Sequence, residues 1–245
     1  MRIWAVPGLS AAAFALIVFL GNNQKIFLAL NALGPMTSDL LWANVTILGD
    51  AAVVLALGLA FWRRRPDLLW AFLWAALLAT LWARGFKPLL DVPRPPALLG
   101  DAVHVIGRAY RADSFPSGHA TAAFTFAGVM MLGMKQRGWA WMALAIAAVA
   151  ALSRCVVGVH WPLDVLGGAF GGWLAAAAAV VLGRKTLRFG STAWVQGAGA
   201  ALLAGCAAAL AAGYPHDYPD AQLLQRAIGI CCLLAAAATL KKHAG

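Results

Sequence analysis

Three short clusters of polar residues in this 245-residue chain have the types and spacing to handle a phosphoryl group. The first runs Lys87-Pro-Leu-Leu-Asp-Val-Pro-Arg94-Pro95. The second is Pro116-Ser117-Gly118-His119. The third holds Ser153, Arg154, His160 and Asp164. Lys87, Arg94 and Arg154 offer positive charge to phosphate oxygens, the two arginines as planar forks. Ser117 and Gly118 stand where a helix is expected to begin, and the free N–H groups of a helix start favour an anion. Glycine there lets backbone approach an oxyanion closely. The two histidines then divide the work: one attacks phosphorus, and the other protonates the departing oxygen. Asp164 follows His160 by four residues, one helical turn. It can hold the far imidazole nitrogen so that the attacking one keeps its lone pair. His160 is therefore the expected nucleophile. His119 is the expected general acid, and the base that activates water in a second step.

The elements that must position these groups belong in a bilayer. Hydrophobic residues make up 62% of the chain and charged residues 11%, with a mean hydropathy of +0.78. An ordinary soluble domain is about 25% charged. The net charge is +10, but the basic residues sit in short clusters between apolar runs, so nucleic acid is not an expected partner. The nine acidic residues are all Asp. Cys155, Cys206, Cys231 and Cys232 lie in apolar runs without metal-ligand spacing and are expected as free hydrophobes. No metal or cofactor is expected. His216, Asp217 and Asp220 read as a polar turn between Pro215 and Pro219.

A membrane-spanning helix needs about 20 apolar residues. Eight candidates occur, at 3–20, 44–62, 67–84, 118–134, 139–158, 163–183, 192–213 and 226–240. The first lies behind Arg2 in the manner of a signal peptide, but no small-residue cleavage site follows, and a retained helix is expected. A short interfacial helix is expected near Ile26–Leu33. Connections on one side hold Arg2, Arg63 to Arg65, Lys135, Arg137, Arg184, Lys185, Arg188, Lys241 and Lys242, eleven of the nineteen basic residues. The positive-inside rule makes that side cytoplasmic, with both termini inside. All three polar clusters fall on the other side, the periplasmic one in a bacterial inner membrane. There the connection from Arg84 to Pro116 is long, and Pro93, Pro95 and Pro96 are expected to stop any helix within it. Arg108, Arg111 and His104 in that loop either touch a headgroup or second phosphate, or are plain solvated loop. Asp91 and Asp113 are candidate partners for the cluster cations, and Asp50 is a candidate cap or interhelical partner. Ala175–Ala179 suits a close-packing helix face.

The pattern Lys-x6-Arg-Pro, Pro-Ser-Gly-His and Ser-Arg-x5-His-x3-Asp resembles the three-part signature of the type 2 phosphatidic acid phosphatase family, and every position matches. The resemblance covers residues 87–164 directly and the first six helices in order and topology. It implies an all-α polytopic bundle: a six-helix catalytic domain over 1–190, with a further helix pair over 191–245 that the signature does not explain. It implies a metal-independent enzyme acting on a phosphorylated membrane lipid. His160 would be the nucleophile and His119 the acid, with Lys87, Arg94, Ser117, Gly118 and Arg154 on the phosphate. Candidate substrates are undecaprenyl diphosphate, lipid A phosphates, phosphatidylglycerol phosphate and phosphatidic acid. Hydrolysis and transfer of the phosphoryl group to an acceptor lipid use the same intermediate, and the residues do not separate them. Oligomeric state is open.

Overall fold

The computed structural model describes residues 2–241. Lys242, expected among the cytoplasmic charges, lies outside the described residues. All regular structure among those residues is helical, as an apolar chain requires where no water is present to pair backbone groups. The helices are α1 (Arg2–Leu20), α2 (Asn23–Asn31), α3 (Leu33–Met36), α4 (Asp39–Thr46), α5 (Ala51–Gly58), α6 (Pro66–Gly85), α7 (Lys87–Leu90), α8 (Pro95–Leu99), α9 (Gly118–Gly133), α10 (Arg137–Val156), α11 (Pro162–Lys185), α12 (Leu187–Gly190), α13 (Ala193–Ala211) and α14 (Gln222–Lys241).

Five stretches are long and apolar enough to cross a bilayer: Pro66–Ala102, Arg137–Val156, Pro162–Lys185, Ala193–Ala211 and Pro219–Leu240. Two bent pairs raise the number to as many as seven. Trp4–Leu20 meets Asn23–Met36 at 108°, and Asp39–Gly49 meets Ala51–Phe61 at 55°. The expected unbroken span at 44–62 is thus corrected. It starts earlier and breaks at Asp50, whose carboxylate accepts from Ala52 N (2.8 Å) and Val53 N (3.4 Å) and so caps α5. Helix α9, expected as a span over 118–134, has 16 residues, short for a crossing, and has much of its length buried in the bundle. The proline-rich loop also departs from expectation. Pro95 opens the short α8, because proline at a first helical position lacks only an N–H that had no partner. A short helix, α2, does form in the stretch where an interfacial one was expected, and it is tied down by Asn31. That side chain donates to the carbonyls of His104 (2.8 Å) and Val156 (2.9 Å) and accepts from His104 N (2.9 Å).

Helix α11 is the hub, packed against α9, α6 and α1. Two glycine stripes make this possible. Gly168 and Gly172 bring its backbone against Ser117 O and Thr121 O at the start of α9, and Gly128 of α9 rests on Ala176. One residue round the helix, Gly167 lies on the ring of Phe115 and Gly171 on the indole of Trp82. Thr125 completes the α9–α11 contact by donating to Gly172 O (3.1 Å). Helices in lipid gain little from hydrophobic burial and associate by close packing and such hydrogen bonds. The C-terminal pair lies alongside: α13 packs on α5 and α6, and α14 on α13 and α5.

A methyl group at Gly172 would stand 2.3 Å from Thr121 O, whereas Gly197 in α13 has nothing within 4 Å. Gly172→Ala is expected to cost about 1–3 kcal/mol by forcing the two helices apart. Thermal unfolding in detergent should show a clear fall in Tm for Gly172→Ala and none for Gly197→Ala.

Candidate active site

The end of α6, the start of α9, the end of α10 and the start of α11 meet at one end of the bundle, and the 86–117 loop closes over them. The loop is held by backbone bonds to itself, Arg94 N to Arg111 O (2.9 Å) and Ser114 N to Val92 O (2.8 Å). It is held to the bundle by the Trp161 indole donating to Pro93 O (2.8 Å). Ser117 N donates to Asp164 O (3.0 Å), fastening the second cluster to the third.

His160 sits in the turn between α10 and α11, 2% exposed. Its Nδ1 lies 3.3 Å from Asp164 Oδ2, and its Nε2 lies 3.4 Å from Arg94 Nη1. The expected orienting pair is therefore formed. Asp164 is also 2% exposed. Its Oδ2 accepts from Trp161 N (2.8 Å) and from the Ser114 hydroxyl. Burial, with the guanidinium groups of Arg94 and Arg154 and the Lys87 ammonium nearby, pushes the His160 imidazole well below its usual pKa. The neutral ring is the one able to attack.

Arg94 is anchored at every nitrogen: Nε to Ala112 O (2.8 Å), Nη1 to Val159 O (3.1 Å) and Nη2 to Asp113 O (3.3 Å). Its guanidinium carbon lies 5.0 Å from the centre of the Tyr110 ring. Lys87 Nζ also donates to Asp113 O. Asp113 adopts φ +56°, which aspartate tolerates, and its backbone carbonyl, rather than its carboxylate, meets both cations. Neither Asp91 nor Asp113 forms an ion pair with a cluster cation among the described residues. Arg154, 3% exposed, donates through Nη1 to Thr46 Oγ1 (2.6 Å) and Tyr218 Oη (2.8 Å).

Ser117 is the N-cap of α9, its hydroxyl 3.4 Å from Ala120 N. It is buried, so its side chain completes the helix start while Gly118 and His119 face the cavity. Arg154, His160 and Arg94 are the electrostatic neighbours of His119. Arg108 stacks on Tyr110, its guanidinium carbon 5.0 Å from the ring centre. Neither Arg108 nor Arg111 lines the cavity. His216 accepts from Tyr218 N (3.0 Å) within a turn. Groups of three or more metal-ligating side chains are absent among the described residues. Four contributors carried no signal in the sequence: Thr46, Tyr110, Ser114 and Tyr218. Only folding brings the hydroxyls of Thr46 and Tyr218 to Arg154, that of Ser114 to Asp164 and the ring of Tyr110 to Arg94.

A cavity of about 640 Å³ runs from this cluster into the bundle. Its mouth holds Lys87, Arg94, Gly118 and His119. Below, it is walled by Phe72, Ala76, Ala79, Thr80 and Ala83 on one face of α6, by Ala51, Val54 and Leu55 of α5, and by Thr121, Ala122 and Thr125 of α9. From Ala83 to Phe72 the α6 wall is about 16 Å long at 1.5 Å per residue. Ala51 and Thr80 line it and are also exposed on the outer surface of the bundle.

Residues 68–188 match the PAP2 superfamily, a stretch that contains all three polar clusters. YbjG of Escherichia coli is 42% identical over 71 residues, 29% of this chain and 35% of YbjG. A lipid A 1-phosphatase of Rhizobium etli is 40% identical over 78 residues, 31% of this chain and 33% of the relative. An undecaprenyl-diphosphatase of Sulfolobus acidocaldarius is 44% identical over 64 residues, 25% of this chain and 30% of the relative. The matched segments thus span about a third of the length of each curated relative. The crystal structure of Aquifex aeolicus LpxE superposes with a TM-score of 0.60 at 28% identity, covering 65% of this chain and 94% of that one. With its apolar helices, the chain is a multi-pass membrane protein, and through residues 68–188 it belongs to the PAP2 superfamily.

Proposed function

We propose that this protein is a membrane phosphatase that hydrolyses a lipid-linked phosphate or diphosphate through a phosphohistidine at His160. The observation that carries this reading is one cavity whose mouth bears Lys87, Arg94 and His119, with His160 Nε2 directly behind Arg94 at 3.4 Å from its Nη1, and which continues into a largely apolar channel about 16 Å long. A soluble phosphate ester has no use for the channel, and an uncharged lipid has no use for the mouth.

The chemistry follows from the groups present. Asp164 accepts a hydrogen bond from the Nδ1–H of His160, so Nε2 carries the lone pair and forms the bond to phosphorus. The bond to the lipid oxygen breaks, and His119 gives that oxygen its proton. Lys87, Arg94 and Arg154, with the N–H groups at Gly118, hold the charge that spreads over the phosphoryl oxygens. His119, now neutral, takes a proton from the water that attacks the phosphohistidine, which frees His160 and releases phosphate. No metal enters these steps. Relatives named as undecaprenyl-diphosphatase and lipid A 1-phosphatase support lipid diphosphates and lipid A phosphates as the first substrates to test. The distribution of basic residues favours cytoplasmic termini and a periplasmic site in an inner membrane.

The deciding experiment is a panel of lipid mono- and diphosphates offered to the purified protein, with His160→Ala as control. Phosphate release from at least one lipid, abolished in His160→Ala, is expected; equal behaviour of the two proteins would sink the reading. Recovery of label as free phosphate rather than on an added acceptor lipid is the expected sign of hydrolysis. His119→Ala should regain activity on a substrate whose leaving group needs no proton, and vanadate should inhibit the wild type. Ala76→Phe, which fills the channel, should raise KM for the lipid and spare a water-soluble aryl phosphate. The depressed pKa of His160 gives a further outcome. At about pH 6.5, where an ordinary imidazole is half protonated, its ring should be neutral by 15N NMR. The acid limb of kcat/KM should lie below that pH.

A further inference from the structure

The two C-terminal helices, α13 and α14, lie outside residues 68–188, yet the loop between them reaches the site. Tyr218, 3% exposed, presents its hydroxyl to Arg154 Nη1 at 2.8 Å and its ring to the guanidinium, with 5.7 Å to the centroid. Thr46 Oγ1, fully buried, takes the same nitrogen at 2.6 Å. Arg154 Nε is buried and has no hydrogen-bond partner among the described residues. A buried donor of a charged group left in this way is costly unless a ligand completes it. The Nε–Nη2 edge is the edge that meets two phosphate oxygens at once.

The loop that carries Tyr218 is itself fixed to the site. The Tyr110 hydroxyl lies 2.9 Å from both carboxylate oxygens of Asp217, while the Tyr110 ring lies under Arg94. Burial and the Asp217 carboxylate raise the pKa of Tyr110, which keeps it a hydrogen-bond donor. Gly107, at φ +84°, lets the two loops close, since a methyl there would stand 2.4 Å from Asp217 O. Each of two site arginines therefore rests on a tyrosine, and Asp217 joins the two tyrosine-bearing loops.

We propose that Tyr218 is a positioning residue for phosphoryl transfer: with Thr46 it holds one edge of Arg154 so that the Nε–Nη2 fork faces the phosphoryl group. The α13–α14 pair thereby acts as a strut for the site. The proposal rests on the phosphatase reading above. Tyr218→Phe keeps the ring and removes the hydroxyl that takes the Arg154 hydrogen bond. In the full-length protein it should lower kcat about tenfold and weaken vanadate inhibition by a similar factor, with Tm near that of the wild type. Tyr218→Phe combined with Thr46→Val should approach Arg154→Ala, and adding Arg154→Ala to that pair should change little more. A role confined to stability would lower Tm and leave kcat per folded molecule intact. That result overturns the proposal, as does wild-type kcat and vanadate sensitivity in Tyr218→Phe. If Tyr218→Phe does not fold, Thr46→Val alone carries the same expectation and the same overturning result. Lipid phosphate release that depends on His160 but not on Tyr218 or Thr46 defeats this proposal alone. Absence of any His160-dependent release defeats the phosphatase reading and this proposal with it.

Discussion

Oδ2 of Asp164 is where the separate parts of the site are tied together. It receives the hydroxyl of Ser114 from the covering loop, the backbone N–H of Trp161 from the turn and the imidazole of His160. The carbonyl of the same residue receives Ser117 N from the start of α9. A carboxylate this deeply buried is tolerated only when its lone pairs are taken up. The ties work in both directions: they keep Asp164 in place, and they fix three chain segments to one residue. Glycine at 167, 168, 171 and 172 is the condition for this, because only a bare α11 backbone lies close enough to α9 and Trp82 for the knot to form.

Much of this was legible in the sequence, for an identifiable reason. In a chain that is 11% charged, any ionisable residue at a helix end stands out against an apolar background. Lys87, Arg94, His119, Arg154, His160 and Asp164 stood out in this way. Asp50 stood out as well, as a cap or an interhelical partner, and the fold makes it the cap of α5. What stayed hidden depends on distance along the chain. Thr46 and Tyr218 meet Arg154 across 108 and 64 residues, and Ser114 meets Asp164 across 50. A single hydroxyl in a loop gives no periodicity by which to find it. The span at 44–62 misled because hydropathy averages over the one polar residue at which the helix turns.

The cations pose a problem that the fold solves without carboxylates. Among the described residues no Asp forms an ion pair with Lys87, Arg94 or Arg154. Backbone carbonyls, hydroxyls and aromatic faces take their place. Such acceptors orient a guanidinium without pairing it to a counter-charge at contact distance, so its charge stays open to an anion. A carboxylate partner would have satisfied the same donors and cancelled much of the field that an anion would meet.

The apolar channel has a wall that reaches the outside of the bundle at Ala51 and Thr80. A ligand entering by that flank arrives along the plane of the leaflet. The quantity that governs occupancy is then its mole fraction among neighbouring lipids, rather than its concentration in water. Dilution of the host membrane with inert lipid would slow encounter even at constant bulk amounts, and crowding of one leaflet would hasten it. The geometry of a side wall thus sets the units in which such a protein senses its surroundings.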